Sequence, residues 1–317
     1  MNYLIGVDVG GTKIAYGLFD ENKKLLAKRR RESDASLEPE AFFNNIIQDI
    51  TQVLQDNQLT IDDVTGIGIG LPSYIDFAEG FILKTGSLPK LCNFPLGAYL
   101  KGVYHNNIKI VIDNDANSGA IAEYRHGVGS QFKHMVYCPM STGISAGIII
   151  NGEIFRGSYG WAGESGHMLT TEQDRPLVCG CGNAGCFNSI CSGKMIVHEI
   201  AHWIESGEKS SLPEMAGGIE RITAEHINKA YELGDRLAIR AVDTMVHYMA
   251  IWLYNTYTLL NINCFVLSGG LLSMGDKLVG RIKKQFFDYN KNEYPVYFHE
   301  AILGGDSGII GAMELLF

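Results

Sequence analysis

The stretch Tyr3-Leu4-Ile5-Gly6-Val7-Asp8-Val9-Gly10-Gly11-Thr12-Lys13-Ile14-Ala15-Tyr16-Gly17-Leu18-Phe19 sets two short apolar runs on either side of a glycine pair. Runs of this length and composition read as buried strands, and the glycines between them as a hairpin turn. Without Cβ atoms, Gly10 and Gly11 are expected to take backbone angles closed to other residues and to bring main-chain N–H groups up to phosphate oxygens, with Thr12 adding a hydroxyl donor. A Gly-Gly hairpin is by itself weak information, because most such turns are purely structural. Its weight comes from what recurs further along the chain.

Outward from the hairpin, Phe42, Phe43, Ile46, Ile47, Ile50, Val53 and Leu54 fall at helical spacing between Pro39 and Gln55. Val64-Thr65-Gly66-Ile67-Gly68-Ile69-Gly70 then reads as an inner strand, so an α/β layer is expected. A later strand, Ile108–Ile112, delivers Asp113-Asn114-Asp115 at its carboxyl end ahead of a helix over Ala116–Tyr124. Open α/β folds place their functional residues at such strand ends. His134–Met140, the turn Ser141-Thr142-Gly143 and the run Ser145–Gly152 repeat the strand, glycine turn, strand unit. Two phosphate-grasping units suggest duplicated domains facing one nucleotide across a cleft. The later chain reads as helices over Lys194–Trp203, Thr223–Glu232 and Asp235–Leu260, then a strand from Phe265 meeting Gly269-Gly270.

The 317 residues, 46% hydrophobic and 19% charged, suit a soluble protein of two domains. A formal net charge of -9 argues against nucleic acid as a partner. The basic run Lys28-Arg29-Arg30-Arg31 is short, is followed by Glu32 and Asp34, and reads as a solvated strand end. A strand pattern begins within a few residues of Met1, with no secretory pattern before it, so a cytoplasmic chain is expected. The apolar stretch Met245–Leu260 is interrupted by Asn255, Thr256 and Thr258 and reads as a buried helix, with no membrane association expected. Seven cysteines are an odd number, and Cys179, Cys181 and Cys186 crowd together as metal ligands do. With His167 they offer the four donors of a closed tetrahedral zinc site, a structural and not a water-activating arrangement. Cys92, Cys138, Cys191 and Cys264 read as small buried residues.

The segment Gly157-Ser-Tyr-Gly-Trp-Ala-Gly163-Glu164-Ser-Gly-His167 followed by Cys179-Gly-Cys181-Gly-Asn-Ala-Gly-Cys186 resembles the ROK family of sugar kinases and sugar-responsive repressors. With the N-terminal Asp-x-Gly-Gly-Thr segment, the resemblance covers essentially the whole chain. It implies an α/β, two-domain actin-like ATPase fold, ribonuclease H-like, with an interdomain cleft. The smaller domain would be residues 1–114 plus a C-terminal helix over about 303–317, and the larger would be residues 115–302 with the zinc loop. The implied activity is ATP-dependent phosphorylation of a hexose or hexose derivative at its C6 hydroxyl. Asp115, matching the family's catalytic Asp, would be the general base, although it would also serve as a helix N-cap, a role for which Asp113 competes. Asn114, Glu164 and His167 would bind sugar hydroxyls, His167 doubling as zinc ligand. Asp8 would face the Mg2+ of Mg-ATP, with Gly10, Gly11, Thr12, Ser141, Thr142 and Gly143 on the phosphates and Gly269 and Gly270 at the adenosine. Lys13 is open between a phosphate contact and a solvated strand position. Homodimers or homotetramers are common in the family, and the helix carrying Trp252 and Tyr254 would supply either an interface or core.

The chain departs from that pattern where sugar and phosphate contacts are expected. Ser73 and Ser87 stand where relatives carry Gly and a sugar-binding Asn, Asn188 stands where they carry Glu, and Ser145-Ala146 stand where glycines are common. Ser87 and Asn188 thus remain candidate substrate ligands with altered chemistry. Losing a charged acceptor weakens a hydrogen bond worth roughly 1.5–3 kcal/mol, enough to change sugar preference tenfold or more. Two other readings stay open. One is a non-catalytic sugar-binding or sensing member; the other is a sugar-responsive regulator lacking a DNA-binding module, since Asp8 follows Met1 so closely.

Overall fold

The computed structural model describes residues 2–104, 108–170 and 178–317. Its opening stretch forms β1 (Tyr3–Val9) and β2 (Lys13–Phe19), paired antiparallel, with β3 (Leu25–Glu32) antiparallel on β2. Helix α1 (Pro39–Asp56) starts on Pro39, whose missing N–H is an orphan in any first turn. It leads to β4 (Val64–Leu71), parallel to β1. The short hairpin β5 (Tyr74–Asp76) and β6 (Phe81–Lys84) and helix α2 (Leu96–Val103) precede β7 (Lys109–Asn114), parallel to β4. The sheet order is β3-β2-β1-β4-β7. Helix α3 (Asp115–His126) follows, then β8 (His134–Pro139), β9 (Gly147–Ile150) and β10 (Glu153–Ile154) in antiparallel sequence.

Further on come α4 (Phe187–Cys191), α5 (Gly193–Glu205), α6 (Leu212–Ala216), α7 (Ala224–Glu232) and α8 (Arg236–Leu260). Ser192, Thr223 and Asp235 cap the first turns of α5, α7 and α8 by accepting backbone N–H bonds. Strand β11 (Cys264–Ser268), helix α9 (Val279–Tyr289) and strand β12 (Tyr297–Glu300) follow, β12 running parallel to β11. Trp252 of α8 is fully buried, so this face is core. Phe265 and Phe298 stack at 5.2 Å with Phe286 of α9 edge-on to both. Among the described residues no helix is long and apolar enough to cross a membrane.

The chain ends in α10 (Ser307–Glu314), which packs on the first sheet. Strand β4 explains how. Its Ile67, Ile69 and Leu71 join the cluster built on Phe42, Phe43, Ile46 and Ile50 of α1. The alternate positions Gly66, Gly68 and Gly70 leave the opposite face bare, and a Cβ at Gly68 would overlap the Ala312 carbonyl of α10. Gly6 of β1 is held the same way by Ile309, and Gly311 lets α10 touch Ser118 of α3. Leu4, Ala15, Phe19, Ile309, Met313 and Leu316 fill this second layer. Glu314 is buried beneath it and hydrogen-bonds with Lys23 at 3.0 Å, Arg125 at 2.6 Å and His126 at 2.7 Å. Burial opposes its ionisation, but these three partners hold the carboxyl below its ordinary range.

Two compact units result: Met1–Tyr137 with Gly147–Gly163 and Ala301–Phe317, and Cys138–Ala146 with Glu164–Glu300. The division expected after residue 114 differs from this one, because α3 packs along α10 and β9 and so stays with the first unit. The basic run does fall in the C-terminal half of its strand, but it is not simply solvated. It lies within β3, where Arg29 and Arg31 reach buried Asp49 at 3.0 and 2.9 Å and Lys28 reaches Asp306 on the other face at 2.9 Å. Cys138, Cys191 and Cys264 are buried as expected, and Cys92 is half-buried.

Candidate active site

In the first unit the end of β7 presents two carboxylates separated by one residue. Asp113 is buried and held by three donors: Arg156 Nε donates to it at 2.8 Å, Asn117 Nδ2 at 2.9 Å and the Asn114 amide at 2.7 Å. Burial pushes its carboxyl up, and these partners, Arg156 foremost, oppose the rise. Asp115 is half-buried at the first position of α3, where its Oδ1 accepts from the Ala116 amide at 2.9 Å. Burial, then the nearby charge of Asp8, pushes the Asp115 carboxyl up to about 6. The helix cap expected from Asp115 or Asp113 is instead Asn114, whose Oδ1 accepts from Ala116 N at 2.8 Å. The isosteric amide side chain of Asn114 sits at the cap position itself and takes that donor, which Asp115 Oδ1 shares. Asn114 Nδ2 donates to the Ser73 carbonyl at 3.2 Å, which ties the sugar candidate to the residue just before β5.

Asp8, the last residue but one of β1, lies close enough to Asp115 for the two charges to interact. Burial raises its carboxyl, opposed by Lys13 and Arg30. The start of α10 also presses on it, since a Cβ at Gly308 would overlap the Asp8 carboxylate. Gly308 escaped the sequence reading because the demand on it comes from three hundred residues away in the chain. In the hairpin, Gly10 N donates to Lys13 O at 2.9 Å, and neither Gly10 nor Gly11 has a positive φ. The expectation of special backbone angles is therefore corrected: smallness is what matters, because a Cβ on Gly10 would lie 2.9 Å from the Lys13 carbonyl and one on Gly11 3.0 Å from the Ser87 Cβ. Thr12 is exposed beside them.

In the second unit Ser141, Thr142 and Gly143 form an exposed turn. Gly193 N donates to Ser141 O at 2.8 Å and Lys194 N to Thr142 O at 3.2 Å, so the first amides of α5 hold the turn's carbonyls. Asn188 Oδ1 accepts from Ile144 N at 2.9 Å. The expected sugar ligand thus spends its acceptor on the turn and keeps its amide hydrogens. Gly269 has φ +98 and no room for a Cβ against the Met140 backbone, whereas Gly270 has open space around it.

The same unit gathers His167, Cys179, Cys181 and Cys186, with all four donor atoms within 4.8 Å of one another. His167 Nδ1 lies 3.3 Å from Cys179 Sγ, and Cys181 and Cys186 sulfurs are 3.6 Å apart. Ligands about 2.0–2.3 Å from a tetrahedral ion stand at such separations, so the set fits zinc. Tight turns build the loop: Gly182 N donates to Cys179 O at 2.8 Å, and Gly182 and Gly185 take φ of +97 and +75. Burial and the neighbouring thiols push the Cys186 thiol up to about 12, so thiolate formation here calls for a cation. With Nδ1 turned to the sulfurs, His167 directs Nε2 toward Glu164 Oε2, 3.8 Å away.

A model described as the ROK family matches residues 4–317. The chain belongs to the ROK family. This ROK chain is 29% identical over 311 residues to a glucokinase of Halalkalibacterium halodurans, covering 98% of this chain and 93% of the relative. It is 30% identical to an N-acetyl-D-glucosamine kinase of Photobacterium profundum, over 84% of this chain and 83% of the relative. Among solved structures, a ROK family glucokinase from Streptomyces griseus in complex with glucose and AMPPNP superposes with a TM-score of 0.82 at 27% identity, covering 99% and 98% of the two chains. The fold is the two-domain actin-like ATPase fold of ROK sugar kinases.

Proposed function

We propose that this ATP-dependent sugar kinase of the ROK family phosphorylates a hexose or hexose derivative at the C6 hydroxyl, with Asp115 accepting the hydroxyl proton. The observation that carries the assignment is the contrast at the end of β7, where Asp113 is consumed by Arg156 and Asn117 while Asp115 is raised to about 6. A base in that range is mostly ionised near neutrality and still basic enough to take a proton as the alkoxide develops. Asp8 is the carboxylate for Mg2+, which when bound offsets phosphate charge; it sits among Lys13, Arg30 and the start of α10. Gly10, Gly11, Thr12 and the Ser141–Gly143 turn are the phosphate contacts, and Gly269 with Gly270 the adenosine turn.

On the sugar side, Asn114, Glu164, His167 and Ser87 are the ligands, with Asn188 contributing only its amide hydrogens. Zinc is the ion we assign to His167, Cys179, Cys181 and Cys186, fixing the ring so that Nε2 serves the substrate. A coupled ADP-release assay with Mg-ATP over hexoses, N-acetylhexosamines, ketohexoses and glycosides tests the reading. Turnover on one sugar that falls about 10²–10⁴-fold in Asp115→Asn is expected. Undiminished turnover in that variant would overturn the assignment of the base.

A further inference from the structure

Next to the Asn114 contact, the first unit exposes aromatic rings that its fold does not need. Trp161 stands edge-on to Tyr74, with ring centres 5.5 Å apart at 81°, and Tyr159 lies 5.6 Å from Trp161. Tyr159 is 74% exposed and Trp161 40%. Large apolar rings grouped in water cost free energy that a folded chain ordinarily avoids, so such a group marks a surface that something covers. The loop bearing the two rings is fixed, not loose: Gly160 has φ +90 and is pressed against the Ile75 carbonyl of β5 with no room for a Cβ. Tyr74 follows Ser73, whose carbonyl accepts the Asn114 side chain at 3.2 Å.

We propose that Tyr74, Tyr159 and Trp161 form a platform for the second pyranose ring of a disaccharide whose first ring is held by Asn114. This rests on the sugar-kinase reading above. The occupant is argued from continuity. Tyr74 directly follows Ser73, whose carbonyl orients Asn114; Trp161 packs edge-on to Tyr74 and precedes Glu164, another proposed sugar ligand, by three positions in sequence. The C–H face of a pyranose packs on an indole or phenol ring as an apolar surface, while its hydroxyls stay in water. A platform of this kind is indifferent to a bare hexose and reads what is attached to it.

The test is calorimetric binding of α- and β-linked glucosyl disaccharides and of the parent hexose to the full chain, its Trp161→Ala and Tyr159→Ala variants and a conservative Trp161→Phe. The wild type is expected to bind one disaccharide more tightly than the hexose, with the disaccharide-to-hexose affinity ratio falling about tenfold in Trp161→Ala and recovering in Trp161→Phe. An unchanged ratio overturns the platform, as does binding of no disaccharide, or a variant that changes only the sedimentation of the protein, which would make the rings a contact between copies. ADP release on the same samples reads the kinase assignment separately: disaccharide binding without ADP release sinks phosphoryl transfer and leaves the platform standing.

Discussion

The two carboxylates at the end of β7 are separated by a single residue yet belong to different chemistries. Asp113 points into the packed side of the first unit, where Arg156, Asn117 and a backbone amide meet it; Asp115 begins a helix beside another acid, Asp8. What distinguishes them is the company each keeps, since the residue type is the same and the two stand only two positions apart. A carboxylate held by three donors is a girder, and one whose charge is disfavoured by its surroundings is available for proton transfer.

The sharpest way to break this contrast is to exchange the two losses. Removing the charge at Asp113 by Asp113→Asn strips Arg156 of its partner and is expected to cost about 2–3 kcal/mol of stability, read by urea unfolding, with much of kcat retained. Asp115→Asn is expected to do the reverse, and a variant pair in which stability and turnover fall together at both positions would dissolve the distinction. The pH dependence of kcat/KM sharpens it next. That parameter reports the free protein, so it is expected to rise about tenfold per pH unit below about 6 and to level off above, as Asp115 loses its proton. A flat profile between pH 5 and 7 would move the base elsewhere.

The smallest effect is thermodynamic. Because the folded pKa of Asp115 lies above its ordinary value, the ionised side chain costs stability once the pH exceeds that ordinary value. The cost grows until the pH passes about 6. Asp115→Asn is therefore expected to be more stable than the wild type by about 1–2 kcal/mol at pH 7–8, with the difference closing toward pH 4. Paired thermal melts at the two pH values measure it.

Much of this site was legible in the residue order. Strand-end acids, the glycine turns and the His-Cys cluster are local patterns, and α1, α3, α5, α7 and α8 follow from apolar periodicity. What stayed hidden depends on partners distant in sequence. Nothing near Asp113 announces that Arg156 will consume it, and nothing near Asn188 tells that its carbonyl oxygen will serve Ile144. The alternating cations of β3 looked like solvated charge because Asp49 and Asp306 lie on other elements. At Gly10 and Gly11 the expected need for special dihedral angles is absent, and close neighbours rather than dihedral freedom constrain both positions.

The bare glycine face of β4 has a consequence in time. Its covering helix, α10, comes after the whole second unit in chain order and so is synthesised after it. Until then β1 and β4 hold an uncovered apolar groove whose contacts lie at the far end of the chain, the kind of long-range closure that slows folding and invites aggregation. The second unit can collapse during synthesis, but the first must wait, so the N-terminal half of this protein is born early and finished late.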